Sequence, residues 1–175
     1  MARISELKNA VKSGLSRQHR WRVTIDLPTY AGSSEDSRNG TALARTANIP
    51  GMNMGVIELG YSGRILPLPG DRQFEEFTVG FLSVNDMKFR KAMEKWSEYI
   101  NGTESNTGLR NLDDYMRDVT LELLDQEDNV TRTIVLKDAW PSMMTSGDLD
   151  QGAMDSYIEY NVTFRYVETG TDVSR

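Results

Sequence analysis

The sequence predicts a mainly β fold, an antiparallel barrel or sandwich of about seven strands with a flanking helix. Several short segments alternate apolar and polar residues with a period of two, which is typical of half-buried strands. One central segment, residues 85–102, carries apolar residues at helical spacing instead. The chain has 175 residues, enough to bury one core, so we expect a single domain over residues 1–175.

The first quarter of the chain predicts a helix, a strand and a polar connection. Apolar residues at helical spacing predict a short helix over residues 3–14; they are Ile4, Leu7, Val11 and Leu15. The following segment alternates in character and stops at Pro28, which predicts a strand. Its apolar members are Trp21, Val23, Ile25 and Leu27. Residues 29–41 contain few side chains that could join a core, so we expect a surface loop there.

Three further extended segments precede the central helix. A strand is predicted over residues 42–48 and ends before a Pro-Gly pair. Residues 54–68 are typical of a long hairpin, and residues 73–84 of another strand. Glycines within the hairpin are placed where a bulge or a turn would need them. These are Gly55, Gly60 and Gly63.

The central helix is expected to begin at a cap formed by Asn85 or Asp86 and to end at a left-handed Asn101-Gly102 stop. One stripe of apolar residues follows its length, which indicates a face packed on the core. The stripe consists of Phe89, Ala92, Met93, Trp96, Tyr99 and Ile100.

The last third of the chain predicts more antiparallel strands after a polar loop at residues 103–112. A strand over residues 119–123 is followed by a turn at 125–129 and a return strand at 130–136. The most regular alternation covers residues 158–166.

The large apolar and aromatic residues of these elements form the candidate core, and residues 168–175 are expected to form a flexible C-terminal tail. The candidate core residues are Trp21, Phe77, Phe89, Trp96, Tyr160 and Phe164.

Composition excludes several classes of function. The chain has 26 acidic and 20 basic residues, a net charge of −6, and such a surface repels nucleic acid instead of holding it. The absence of cysteine excludes disulfides and thiolate chemistry, and is compatible with assembly in a reducing cytoplasm. Charges interrupt the apolar residues near the N-terminus, so we expect no signal peptide and no membrane binding by the free subunit.

The sequence also lacks the residue patterns of common catalytic sites, so we expect no catalytic, cofactor-binding or metal-binding residues. The single histidine, His19, permits neither a Ser-His-Asp triad nor a two-histidine metal site within one chain. The acidic pairs at 75–76 and 113–114 are adjacent residues, whose side chains point to opposite faces of a strand. Residues 125–129 lack the spacing of a calcium-binding loop, so a turn is the better interpretation.

One segment resembles a known family. Residues 70–79, with sequence GDRQFEEFTV and followed by the Phe89–Trp96 helix, resemble the corresponding segment of tail tube proteins from contractile-tail bacteriophages, which are related to type VI secretion tube proteins. Residues 44–51 (ARTANIPG), 137–141 (KDAWP, a Trp-Pro corner) and 147–149 (GDL) match in the same order. The resemblance spans residues 4–167 and departs from the family pattern in its longer, more polar segment at 29–41.

The resemblance implies a structural virion protein, not an enzyme. It implies a tail-tube-like fold in which six subunits join their sheets, with the long hairpin contributing to an inner barrel of the oligomer. The rings would stack into the tail tube, assembled in the host cytoplasm, through which DNA or effector passes. Implied partners are further copies of the chain, the tail sheath, baseplate and tail terminator proteins, and transiently the tape measure protein and DNA. We expect the channel surface to be neutral or negative, so that DNA does not adhere.

A polymer of acidic subunits needs cations at its junctions. Arg72 is predicted to lie at a corner between the hairpin and the next strand, where its guanidinium would bind a carboxylate of a neighbouring subunit. The candidate interface residues are Asp71, Arg72, Glu75 and Glu76.

Two alternatives remain open from the sequence. A tube initiator at the baseplate would share the fold but stop at one ring. A monomeric β-barrel carrier would need a concave apolar pocket and would not self-associate.

Overall fold

A computed structural model describes residues 4–12 and 14–171, and in them four helices and nine strands. The ends of the predicted helix over 3–14 therefore fall partly outside the described residues. The helices are α1 (Ile4–Ala10), α2 (Ser34–Leu43), α3 (Lys88–Ile100) and α4 (Leu112–Tyr115). The strands are β1 (Trp21–Ile25), β2 (Ala44–Ala47), β3 (Met52–Tyr61), β4 (Arg64–Phe74), β5 (Phe77–Leu82), β6 (Arg117–Leu124), β7 (Val130–Met144), β8 (Glu159–Arg165) and β9 (Glu168–Thr171).

Seven of the strands form two antiparallel layers that share one long strand. The first sheet has the order β1-β6-β7-β9, and the second sheet has the order β7-β8-β5-β2. Strand β7 pairs with β6 through its first half and with β8 through its second half. The fold is therefore mainly β and antiparallel, as predicted, but the sheets do not close into a barrel because β1 and β2 do not pair.

The change of partner along β7 occurs at Asp138, whose φ of 55° lies in the left-handed region. Its N–H donates to Asp118 Oδ1 at 3.3 Å. The corner predicted over residues 137–141 contains this change of partner, although Trp140 and Pro141 themselves continue β7 within the second sheet. Pro141 is accommodated beside a register shift, where a missing N–H is tolerated in a strand.

The core lies between the two sheets and under α3. Its largest buried members are Trp96, Phe77, Phe81, Phe89 and Phe164. Among the predicted core residues, Tyr160 is buried as well, and Trp21 is partly buried at the margin. Burial raises the pKa of Tyr160 to about 12, and the Arg90 guanidinium lies 5.0 Å from the centre of its ring.

The predicted caps of α3 are wrong at both ends. Its N-cap residue is Met87, with a φ of 50° and no side-chain cap, although Asp86 Oδ1 accepts a bond from the Lys88 N–H at 3.2 Å. At the other end Asn101 is extended, with a φ of −152°, so the left-handed stop does not form. Within the stripe, Tyr99 is half exposed and stacks on Tyr30 at 4.4 Å between ring centres.

The surface loop predicted over residues 29–41 is wrong for most of its length, because α2 occupies Ser34–Leu43. A capping box starts this helix: the Asp36 N–H donates to Ser33 Oγ, and the Ser33 N–H donates to the Asp36 carboxylate. These bonds from Ser33 lower the pKa of Asp36 below its usual value. A polar residue followed three positions later by an acidic one was the available signal in the sequence.

The prediction of a flexible tail over residues 168–175 is wrong for its first half. Residues 168–171 form β9, which pairs with the first half of β7. An ion pair of 2.6 Å between Lys137 Nζ and Glu168 Oε1 accompanies this pairing. Residues 172–175 lie outside the described residues.

Replacing Trp96 with alanine should lower the free energy of unfolding by about 3–5 kcal/mol, because the substitution leaves a large cavity. Trp96 is fully buried, and its Nε1–H donates to the Tyr115 carbonyl at 2.8 Å. Urea unfolding measures the loss. Lys95→Ala on the exposed side of the same helix is the control and should change stability by less than about 0.5 kcal/mol.

A substitution at Gly40 tests the packing of α2. In most helices alanine is more stabilising than glycine, but at this position we expect the opposite. An exposed Gly→Ala change in a helix normally stabilises by about 1 kcal/mol. A Cβ at Gly40 would overlap the ring of Phe89, so Gly40→Ala should destabilise by about 1–3 kcal/mol. In a Phe89→Leu background the same change should be neutral or stabilising, measured by thermal unfolding. A rise in melting temperature for Gly40→Ala alone would contradict the packing.

Candidate assembly interface

Strands β3 and β4 form a hairpin that pairs with no other strand among the described residues. Its register runs from Met52 opposite Phe74 to Tyr61 opposite Arg64. The turn is formed by Ser62 and Gly63, with φ values of 47° and 78°. Positive φ at both central residues is the geometry of a type I′ turn, which matches the twist of the strands. The predicted hairpin over 54–68 therefore exists but is longer, covering residues 52–74.

A β-bulge interrupts the hairpin where Gly55 faces Gly70 and Asp71. A Cβ on Gly70 would lie 3.1 Å from the Gly55 backbone, so the two chains approach closely there. Of the three glycines predicted to serve bulges or a turn, Gly55 lies at the bulge and Gly63 in the turn. Gly60 takes part in neither, because it pairs regularly with Ile65.

The hairpin exposes an unusual amount of apolar surface. Nine large apolar side chains in it are exposed: Met52, Met54, Val56, Ile57, Leu59, Tyr61, Ile65, Leu66 and Leu68. The nine side chains lie on both faces of the hairpin, and exposed apolar clusters of this kind mark sites of protein–protein contact. An isolated two-stranded ladder is also only marginally stable in water. Both observations indicate that the hairpin is covered in the assembled state.

The base of the hairpin is closed by one backbone bond and is attached to the end of β8 by three contacts. The ring of Phe74 lies 5.7 Å from that of Tyr166, whose hydroxyl donates to the Glu75 carbonyl at 2.7 Å. The Glu75 N–H donates to the Gly51 carbonyl at 3.1 Å. The Arg165 guanidinium binds the Glu76 carboxylate through Nε at 2.8 Å and Nη2 at 2.5 Å. These contacts fix the direction in which the hairpin leaves the second sheet.

The structure separates the four candidate interface residues into two pairs. Asp71 and Arg72 lie within β4, so the predicted corner at Arg72 is wrong, and the chain turns at Glu75-Glu76 instead. Arg72 is exposed opposite Met54, and no ion pair holds it among the described residues. Glu76 already binds Arg165 of its own chain. Arg165 and Tyr166 were not identified from the sequence, because nothing local indicates a contact across about 90 residues.

The second sheet presents two open edges and one polar face. Its edges are β2 and the end of β7. On the face away from the core, the hydroxyls of Thr78 and Thr163 lie 3.0 Å apart. Next to them, Gly80 leaves room for the side chains of Thr46 and Asn161, which both contact the position its Cβ would occupy. The middle of this outer face therefore carries small uncharged polar groups, with Glu159 and Arg165 at the two ends of β8 and Thr163 buried.

Residues 4–12 and 14–171 contain no group of three or more His, Cys, Asp and Glu side chains placed to hold a metal ion. His19 is exposed. None of the described helices is both long and apolar enough to span a lipid bilayer. An apolar groove of about 460 Å³ lies at the seam between β1 and β2, lined in part by Trp21, Leu121 and Ala47.

Open sheet edges, a protruding apolar hairpin and a polar sheet face define a structural subunit of a larger assembly. Comparison with known proteins identifies which one. The phage tail tube protein family model matches residues 16–169. A tail tube protein of Serratia phage KSP90 is 45% identical over 177 residues, covering all of both chains. The chain therefore belongs to the phage tail tube protein family, and its role is structural, in the tail of a virion.

Solved structures of other particles share the fold. A chain in the baseplate of the anti-feeding prophage has a TM-score of 0.65 at 15% identity, with 90% of this chain and 95% of that chain covered. A chain in the sheath-tube complex of the PVC extracellular contractile injection system has a TM-score of 0.64 at 15% identity, with 99% and 100% covered. The antiparallel architecture is thus the tail tube fold.

The exposed guanidinium of Arg72 remains a candidate contact between subunits, and Arg72→Glu tests it. The folded monomer should keep its circular dichroism and melting temperature, because the side chain has no partner to lose within its described surroundings. Tube formation, measured by negative-stain microscopy, should fall sharply, because the reversed charge repels a neighbouring carboxylate.

Arg132→Glu, an equally large change of charge at an exposed position of β7, is the control and should leave tubes intact. Unchanged tubes in Arg72→Glu would reject the contact. An unfolded Arg72→Glu monomer would instead show that Arg72 supports its own subunit.

Proposed function

We propose that this chain forms hexameric rings that stack into the inner tail tube of a contractile particle, the conduit for DNA or effector. Membership of the tail tube family supports the tube, and the likeness of the fold to chains of contractile particles is compatible with it. The observation that carries the proposal is the hairpin, which exposes nine large apolar side chains and has no partner strand among the described residues.

Ring closure uses the two edges of the second sheet. An open edge presents unpaired N–H and C=O groups and ordinarily invites uncontrolled aggregation. In a closed ring, β2 of one copy pairs with the end of β7 in the next, and rotation about a six-fold axis leaves no edge free. The second sheets of the subunits then form one continuous inner barrel, to which the hairpins contribute.

The outer face of the second sheet lines the channel in this arrangement. Thr46, Thr78 and Asn161 provide hydroxyl and amide groups there. At the margin, the positive charge of Arg165 is balanced by Glu76. A surface without a surplus of Lys and Arg offers DNA no phosphate-binding sites, so the genome slides without adhering. A channel structure with continuous rings of cations would contradict this.

The partners of the tube follow from its place in the particle. We propose that the sheath surrounds the tube, that a baseplate protein starts it and a terminator ends it. The tape measure protein occupies the channel before DNA passes. Chains with this fold occur in a baseplate, a sheath-tube complex and a tube-terminating cap of other particles.

Electron microscopy of the purified protein tests the proposal, and Leu59→Asp tests the role of the hairpin. Leu59 is about half exposed, so an aspartate at this position should leave the melting temperature of the monomer nearly unchanged. Burial of its carboxylate between rings is costly, so assembly should be weakened. Assembled protein in sedimentation should fall at least about tenfold, which corresponds to about 1.4 kcal/mol per contact.

Leu59→Met, which conserves volume and apolar character, is the matched control and should assemble as the wild type does. A strictly monomeric wild-type protein at high concentration, with intact β-type circular dichroism, would overturn the tube. Single rings that never stack would favour the baseplate initiator instead.

A further inference from the structure

Two prolines occupy alternate positions of β4 and determine how its backbone is oriented. Pro67 lies opposite Glu58, and Pro69 lies opposite Val56. In an antiparallel ladder, opposite residues alternate between pairs that exchange two hydrogen bonds and pairs that exchange none. Proline has no N–H to donate. Both proline pairs must therefore be of the non-bonded kind, and Ile57 opposite Leu68 must be a bonded pair.

The same alternation fixes what each edge of the hairpin offers to another strand. Residues of non-bonded pairs direct their N–H and C=O groups away from the partner strand. On β3, Val56 and Glu58 therefore present intact donors and acceptors outward. On β4, Pro67 and Pro69 present carbonyls but no donors, and their rings obstruct an approaching backbone. The hairpin has one edge that can accept a strand and one that cannot.

We propose that the hairpin joins a second copy of this chain by strand pairing along the β3 edge, and that Pro67 and Pro69 close the β4 edge against such pairing. The inference rests on the proposed tube and adds which edge of the hairpin contacts the neighbouring subunit. Because the β4 edge of every copy is closed, the strand that pairs with β3 must come from another open edge of the second copy, so the two partners of each contact are different and the contact can repeat around the axis. Prolines and covered edges are the means by which sheet proteins prevent unwanted edge-to-edge contacts.

A second copy is the occupant because the exposed surface matches what a stable contact between subunits requires. Summed over the two faces of the hairpin, the nine exposed apolar side chains present an area on the order of 800 Å², comparable to one partner's share of a standard interface. The patch is apolar over its length, with Glu58 and Arg64 as charged exceptions between residues 56 and 69. Strand pairing supplies the backbone partners while the apolar side chains are covered.

Two substitutions at one position distinguish the effect of losing the backbone N–H from the effect of losing the side chain. Glu58→Pro removes an outward N–H without removing a bond within the hairpin, whereas Glu58→Thr removes only the carboxylate. We expect Glu58→Pro to reduce assembled protein at least tenfold in sedimentation and Glu58→Thr to assemble normally. Val56→Pro and Val56→Thr repeat the comparison at the second outward position.

Hydrogen exchange of the monomers establishes that the hairpin itself survives. The inward amides of Ile57, Leu59, Leu66 and Leu68 should stay protected in Glu58→Pro. In wild-type protein, the amides of Val56 and Glu58 should exchange freely in the monomer and become protected on assembly. Continued free exchange of these two amides in assembled tubes would overturn the proposal without affecting the tube itself. Absence of tubes in the wild type would instead defeat the proposed function.

The other outcomes of the substitutions are equally decisive. Normal assembly of both proline variants would show that the β3 edge is not used. Loss of assembly in Glu58→Thr as well would assign the effect to the carboxylate and reject strand pairing. For the β4 edge, Pro67→Thr combined with Pro69→Thr should restore two donors and produce irregular side-by-side aggregates, measured by light scattering. Tubes of wild-type regularity in this double variant would reject the closing role of the prolines.

Discussion

The fold depends on one strand that belongs to two sheets. Strand β7 has 15 residues, and at Asp138 its backbone enters the left-handed region, where its N–H bonds to Asp118. Because the strand turns at this point, it leaves β6 and continues beside β8. The two sheets are thereby brought face to face over the aromatic core. The same turn leaves the end of β7 as an open edge of the second sheet, so one backbone conformation determines both the interior and the surface available for ring closure.

The sequence predicted those elements whose two sides have different surroundings. Strand β8 and helix α3 each bury one side and expose the other, so their apolar residues recur with the period of the element. Helix α2 has no such stripe, because its one fully buried residue is Gly40, and a glycine contributes nothing to an apolar pattern. The capping box is the one local signal of this helix in the sequence, whereas the polar composition of residues 29–41 predicts a loop.

The structure gives the candidate interface residues a geometry different from the predicted one. The predicted hairpin stops at residue 68, between Pro67 and Pro69, since proline usually interrupts a strand. On an outer edge no ladder bond is lost, so β4 continues to Phe74 and Arg72 lies within it. The Glu76–Arg165 pair could not be foreseen, because strand order brings together residues that no local pattern relates.

The attachment of the hairpin has a mechanical consequence. Its two strands continue from β2 and into β5, which are antiparallel neighbours in the second sheet, so both connections leave the same end of that ladder. The component of a pull on the hairpin that acts along these strands draws both of them in the same direction, so it loads the ladder between β5 and β8 in shear. Between β5 and β8 the load is shared along six paired residues, with the Glu76–Arg165 pair at the point of entry. A subunit built in this way resists a pull along these strands far better than peeling across them.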